Sequence, residues 1–292
     1  MKYQFIEEQK QNFPIVVMCS VLEVSESGFY AWRKRPICRR RREDAHLAQE
    51  IRQAFERHQG RYGSPRIHKD LYDEGIKCSR KRVARLMQAE ELSARSKRRR
   101  VVTTKRDETH LVALNLLNRD FHAEEPNKKW VTDITYIPTK QGWLYLAVVL
   151  DLYSRMVVGW SMSGNCDEEL AERALKQALA RRRPGTGLLH HSDRGSQYTA
   201  HAYQACLQQY GIQPSMSRKG NCWDNAAMES FFGTLKDECV RETFYSSHEE
   251  ARSELFTYME VYYNRVRRHS TLGYMSPLQY ERMRVIPTLQ NV

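Results

Sequence analysis

From Trp130 to Ser163 the chain is patterned as three strands in succession, which restricts the fold it can adopt. KWVTDITYIP alternates apolar and polar residues and ends at Pro138. Lys140-Gln141-Gly142 reads as a hairpin turn, WLYLAVVLDLYS is apolar enough for a central buried strand, and RMVVGWSMS is a third. The period then turns helical. Asn165 is placed to cap CDEELAERALKQALARRR, with Glu168 completing a capping box, and Leu170, Ala174, Leu175 and Ala178 share a stripe. LLHH is a short fourth strand, Ala200–Tyr210 a helix and Ile212–Met216 a fifth strand. Asn221 then caps a helix containing Glu229, with Asp224 three positions later. Hairpin strands followed by alternating helices and strands predict an α/β fold, a mixed sheet with helices on its faces.

Three carboxylates sit at unusual places in this pattern. Asp133 is inside the first strand among Val131, Ile134 and Tyr136, where a carboxylate needs a partner or a metal. Asp193 follows the fourth strand, where ligand-binding groups emerge from α/β sheets. Glu229 lies in a helix beside Met228, Phe231 and Phe232. Two divalent ions about 3.5–4 Å apart on such acids can activate one oxygen and stabilise another in phosphodiester chemistry. All-oxygen ligands suit Mg2+ or Mn2+ better than zinc. Each acid also has an ordinary reading. Asp133 can bind backbone at a strand irregularity, Asp193 can be a turn acid before Gly195, and Glu229 can be a solvated helix residue.

The neighbours of these acids carry double readings too. Lys236, two turns after Glu229, can neutralise phosphate oxygens or simply be solvated. His191 can contact DNA or orient Asp193, but a histidine at a strand end is often structural, and the same holds for His190. Asp151 is either a fourth acid or the ion-pair partner of Arg155. Trp223, Asp224 and Asn225 fix the start of the Glu229 helix.

The charge distribution separates a front half from this core. The chain of 292 residues has 47 Lys and Arg against 35 Asp and Glu, a formal charge of +12. Residues 1–125 hold 27 basic and 18 acidic side chains, net +9, leaving 20 and 17, net +3, for the rest. Such asymmetry suits a polyanion grip attached to a more balanced core, though it also fits other basic proteins.

The front half divides further. Residues 1–36 read as a small helix-turn-helix-like unit, with Ser25 capping a helix that bears Phe29, Tyr30 and Trp32. Residues 37–43 are a basic link. Residues 44–92 read as a three-helix module. In it Ser64 and Pro65 open the second helix, Gly75 ends it, and Ser79 caps a third. That third helix buries Val83, Leu86 and Met87 and offers Arg80, Lys81, Arg82 and Arg85 to DNA. Its alternative is a bundle that only packs on a partner. Residues 93–125 are a basic linker whose Lys97, Arg98 and Arg99 can track a phosphate backbone. The catalytic core with its C-terminal extension is expected over 126–285. There Tyr263, Leu272 and Tyr274 clamp the tail, with some DNA contact from Arg265, Arg267, Arg268 and His269. Seven cysteines form no Cys-x-x-Cys pair, which favours a reducing interior without structural metal. No run approaches the roughly 18 apolar residues of a membrane span.

WVTDITYI, HSDRGSQY, SRKGNCWDNAAMESFFGTLKDE and YYNRVRRHSTLGYMSPLQY occur in order, and YGSPRIHKDLYDEG precedes them. On these stretches the chain resembles the OrfB-type transposases of the IS3 family of bacterial insertion sequences. Their core is similar to the wider DDE group, retroviral integrases included, with a ribonuclease-H-like fold. Asp193 and Glu229 have 35 residues between them, the spacing that group's pattern requires, and Lys236 stands where it expects a base.

The resemblance implies Asp133, Asp193 and Glu229 as Mg2+ ligands, with Mn2+ able to substitute. It implies strand cleavage at element ends, then attack by the freed 3′ hydroxyl on another phosphodiester. It further implies double-stranded DNA as substrate and target, a homo-oligomer, an upstream-frame transposase protein as partner, and a cytoplasmic, nucleoid-associated location. A ribonuclease-H-type nuclease, or a DNA-binding regulator or incomplete partner of a frameshifted transposase, are the alternatives.

Overall fold

The computed structural model describes residues 1–34, 38–94, 113–219, 221–240 and 244–285. Two compact units are present: Met1–Gly60 with Asp70–Ser93, and Arg61–Lys69 with Ala94–Val292.

The first unit is helical. α1 (Lys2–Gln9), α2 (Ile15–Val21) and α3 (Glu26–Lys34) enclose Ile6, Met18, Cys19 and Phe29. Ser25 caps α3 as expected, its hydroxyl accepting from the Gly28 N–H at 3.1 Å. The expected basic link is instead helical, because α4 (Arg39–Arg57) begins at Arg39 and an Arg39–Glu43 ion pair spans its first turn. α4 buries Leu47, Ala48, Ile51 and Ala54. α5 (Ser64–Asp73), of which only Asp70–Asp73 belongs to this unit, starts one residue early, with Gly63 preceding the helix in place of the expected Ser64 cap. The chain leaves it through Gly75, whose φ of +86° an L side chain would strain. α6 (Arg80–Ala89) is capped by Ser79, which accepts from the Arg82 N–H, and it buries Val83, Leu86 and Met87.

The second unit is built on a five-stranded sheet in the order β3-β2-β1-β4-β5. β1 (Lys129–Thr139), β2 (Gly142–Asp151) and β3 (Val157–Ser163) pair antiparallel, while β4 (Leu189–Ser192) and β5 (Gln213–Met216) add on in parallel. This is a mixed sheet, as the strand and helix patterns predict. Strand parity sorts its two faces. In β2, Leu144, Leu146, Val148 and Leu150 join one core, and Ala147 and Val149 the other.

The first of these cores is closed by α10 (Ala226–Leu235) and α11 (His248–Phe256). The other is closed by α7 (Glu168–Arg182), the short α8 (Ser196–Thr199) and α9 (His201–Gln209). α7 lies so close to β3 that a Cβ on Gly159 would stand 2.3 Å from the Ala174 carbonyl oxygen. Its cap is Asp167, which accepts from the Leu170 N–H at 2.9 Å, not Asn165 two residues earlier. Both residue types cap well, and the strand exit selects the later one.

α10 and α11 each run on as a π-helix, over Lys236–Val240 and Thr257–Tyr263. α12 (Pro277–Val285) closes the unit, opened by Pro277 as expected. Among the described residues no single helix is long and apolar enough to cross a membrane.

Candidate active site

Asp133 shares strand parity with Val131 and Ile137, so it belongs to the sheet face that α10 covers. β1 lies between β2 and β4, and β4 delivers Asp193 just past its last residue. α10 carries Glu229 in its first turn, and Lys236 stands where α10 passes into its π segment. These sequence positions are remote from one another, and the charges of Asp193, Glu229 and Lys236 all act on Asp133.

The acids sense one another. The Asp133 carboxyl is held well above the usual carboxylate range, first by loss of water and then by the charge of Asp193. The Ile134 N–H, donating to Asp133 Oδ1 at 2.8 Å, opposes this; Glu229 adds to the rise and Lys236 counters it. Asp193 is also raised, chiefly by burial, against the Gly195 N–H that donates to its Oδ1 at 2.9 Å. Lys236 Nζ stands 4.6 Å from the centre of the Tyr136 ring, which packs edge-on against Trp143. Tyr136 and Trp143 are both exposed, a feature the sequence pattern did not single out.

Among the described residues no three His, Cys, Asp or Glu side chains form a ready metal cage. The acids make an electrostatic neighbourhood, with negative charge that Lys236 only partly offsets. That donor set, all carboxylate oxygen, fits a hard divalent cation.

Of the residues expected to fix the start of α10, Asp224 and Asn225 make the bonds, whereas Trp223 is exposed and Asn221 precedes a short 3-10 turn without a side-chain cap bond. Asp224 is fully buried and accepts from the Arg218 side chain at 2.8 and 2.9 Å, from Arg119 Nε at 2.9 Å and from Asn115 at 2.8 Å. Asn225 donates to the main chain of β1.

Other candidates take different places. His191 is buried, with Nδ1 2.8 Å from Ser215 Oγ and Nε2 3.1 Å from Ser217 Oγ, and burial pulls it down to about 4. The expected DNA contact at His191 is therefore corrected to an uncharged brace between β4 and the end of β5. His190 is likewise internal, 2.7 Å from the Tyr203 hydroxyl and pulled down to about 3 by burial.

Asp151 is no fourth acid. It is buried and accepts from the Asn127 and Tyr153 N–H groups at 2.8 and 2.9 Å, and its ion-pair partner is Arg182 at 3.4 Å, not Arg155. Arg267, read as a tail cation for DNA, is also buried, in a bidentate pair with Glu238.

On α6, Arg80 and Lys81 are exposed, whereas Arg82 and Arg85 both pair with Asp44 at 2.6 and 2.7 Å. Lys97, Arg98 and Arg99 lie outside the described residues.

Comparison with known proteins agrees with this architecture. Residues 123–222 and 210–277 match two models described as integrase core domain, and residues 41–100 match an HTH-like domain. The chain is 44% identical over 283 residues to Transposase InsF for insertion sequence IS3A of Escherichia coli strain K12, covering 96% of this chain and 98% of that protein. It is also 44% identical over 263 residues to the insertion element IS600 uncharacterized 31 kDa protein of Shigella sonnei, covering 90% and 97%. Among solved structures, the catalytic core domain of HTLV-2 integrase in complex with magnesium matches 53% of this chain and 97% of its own, at 18% identity and a TM-score of 0.41.

Proposed function

Because this chain belongs to the transposases of IS3-type insertion sequences, we propose that Asp133, Asp193 and Glu229 are its metal-holding acids and Lys236 its cation for substrate phosphate. The protein is an enzyme of DNA recombination. It cleaves a DNA strand and transfers the freed 3′ hydroxyl to another phosphodiester.

The observation that carries the residue assignment is the charge coupling of Asp133 to Asp193, Glu229 and Lys236 across three secondary elements. Asp133 lies in β1, Asp193 directly follows β4 and Glu229 is in the first turn of α10. Bound Mg2+, or Mn2+ in its place, supplies Lewis-acid activation and neutralises developing charge. The N–H groups of Ile134 and Gly195 donate to one oxygen of Asp133 and of Asp193 and so orient the two carboxylates that would hold the ion. Lys236 stands beside the acids to meet a non-bridging phosphate oxygen. A water is the attacking oxygen in cleavage and the 3′ hydroxyl in joining, and no side chain forms a bond to DNA.

The substrate is double-stranded DNA at the element ends and at the target. Exposed Arg80 and Lys81 of α6 supply phosphate contacts, and Arg82 and Arg85 contribute by exchanging Asp44 for phosphate. Two ends must be held at once, which favours a homo-oligomer, and the upstream-frame product is the natural candidate for terminal recognition.

The test is strand transfer in vitro with Mg2+ or Mn2+ and the element's own terminal DNA. Joined products that vanish in Asp193→Asn support the assignment. Cleavage without joining indicates a nuclease. Tight DNA binding without chemistry, persisting after the upstream-frame product is added, leaves a regulator.

A further inference from the structure

The second unit contains a cavity of about 480 Å3 beside the helix that bears Glu229. Ser230 and Thr234 of α10, the turn between β2 and β3 at Arg155, and the tail at Arg267 and His269 form its wall. Arg61 and Arg66 complete it, so four guanidinium groups line the space against two carboxylates, Asp237 and Glu238.

Glu238 is already committed. Its carboxylate accepts from Arg267 Nε at 2.8 Å and Nη2 at 2.7 Å and from the Tyr258 hydroxyl at 2.9 Å, and Arg66 stands 3.8 Å away. Arg61 and Arg66 spend their Nε–H groups on the main-chain carbonyls of Glu238 and Arg268, at 3.1 and 3.0 Å. Neither carbonyl carries a net charge to set against a guanidinium.

Arg155 is the most exceptional of the four. It is half-buried, and its side-chain hydrogen bond among the described residues goes to the Phe121 carbonyl at 3.3 Å. Its φ of +60° lies in the left-handed region, which costs a non-glycine residue energy. The local potential has an internal reporter in His269. Burial, then Arg267, Arg66 and Arg155, hold that ring neutral with its pKa down at about 2.

We propose that this cavity is a phosphate-binding site, with Arg155 as its principal donor, taking a phosphate group presented either by a DNA strand or by a small free phosphate. The planar guanidinium fork matches phosphate oxygens bidentately. The Ser230 and Thr234 side chains add hydroxyl donors to the same wall. None of Asp133, Asp193 and Glu229 lines the cavity, so the site stands whether or not those acids are the metal ligands.

Inorganic pyrophosphate is the first probe, titrated into the full chain without divalent cation at constant ionic strength. The melting temperature should rise saturably in the parent and not in Arg155→Gln. The salt dependence of duplex DNA binding separates the two sources. A strand in the cavity makes Arg155→Gln lose about one unit of the slope of log affinity against log salt. A lost pyrophosphate response with an unchanged slope assigns the site to a small phosphate. If parent and variant respond alike to pyrophosphate and share one salt slope, the proposal is overturned. Should Arg155→Gln fail to fold by circular dichroism, Arg155→Lys takes its place. That variant keeps the charge without the fork, so a weakened response supports the site and an equal one overturns it.

Discussion

The side-chain amide of Asn225 donates to the main-chain carbonyl of Thr132 at 3.1 Å. One bond thus ties the start of α10 to the residue preceding Asp133, setting the distance from the Glu229 helix to the Asp133 strand. Replacing Asn225 by Ala removes that stitch and touches none of the acids. A shift of about 1 Å in reacting groups can cost on the order of a hundredfold in rate. Asn225→Ala should therefore lose strand transfer by about that factor while costing about 1–3 kcal/mol of stability, the penalty for a buried carbonyl that loses a donor. Single-turnover kinetics beside a urea melt measure both. Loss of activity in proportion to loss of folded protein would refute the positioning role.

Much of this arrangement was legible from the chain. β1 to β3 could be read because alternation has period 2, and the acid in mid-strand was conspicuous because a carboxylate there needs a reason. Ser25 and Ser79 cap the helices that follow them, as local chemistry dictates. What escaped depends on partners remote in sequence. His191 is held uncharged by burial, and β5, pairing beside β4, brings Ser215 to it, 24 residues on. Arg267 looked like a cation for DNA because Glu238, 29 residues earlier, gave no local sign of being its partner. The exposed Tyr136–Trp143 pair escaped because strand alternation predicts which side chains leave the core, not whether anything else covers them.

The crowding of like charge around Asp133 makes a stability prediction. Asp133→Asn removes a desolvated negative charge that Asp193 and Glu229 oppose. Without divalent cation at neutral pH, the variant should melt at a higher temperature than the parent while strand transfer falls below detection. Added Mg2+ should raise the melting temperature of the parent and leave that of the variant nearly unchanged, because only the parent retains the full ligand set. Equal Mg2+ shifts in the two proteins would remove Asp133 from that set.

Asp224 predicts the acid limb of stability. Its carboxyl is held well below the usual carboxylate range, chiefly by hydrogen bonds from the Arg218 side chain and also by the Arg218 N–H and by Arg119. The unfolded chain protonates this acid near its ordinary value of about 3.9, before the native state does. Its contribution is therefore complete above that value and lost as pH falls toward the lower native one. Asp224→Asn should be less stable than the parent at neutral pH, and the gap should narrow below about pH 4. Urea midpoints collected across that range test it, and a gap that stays constant would show that the Arg218 pairing does not set the native value.

The Glu238–Arg267 pair predicts an asymmetry between breaking an ion pair and replacing it. Both residues are almost fully buried and joined through Nε and Nη2, with the Tyr258 hydroxyl on the same carboxylate. Glu238→Ala leaves a guanidinium inside the protein with its main counter-charge gone, a situation that typically costs about 3–5 kcal/mol. Arg267→Met leaves the carboxylate, but Arg66 stands 3.8 Å from it and partly compensates. That variant should lose less than Glu238→Ala. The double replacement should lose less than the sum of the two, since an apolar pair leaves no orphaned charge. A complete double-mutant cycle in urea reads the coupling. Additive losses would mean that the pair is held together by the fold around it and contributes little to holding the tail against α10's π segment.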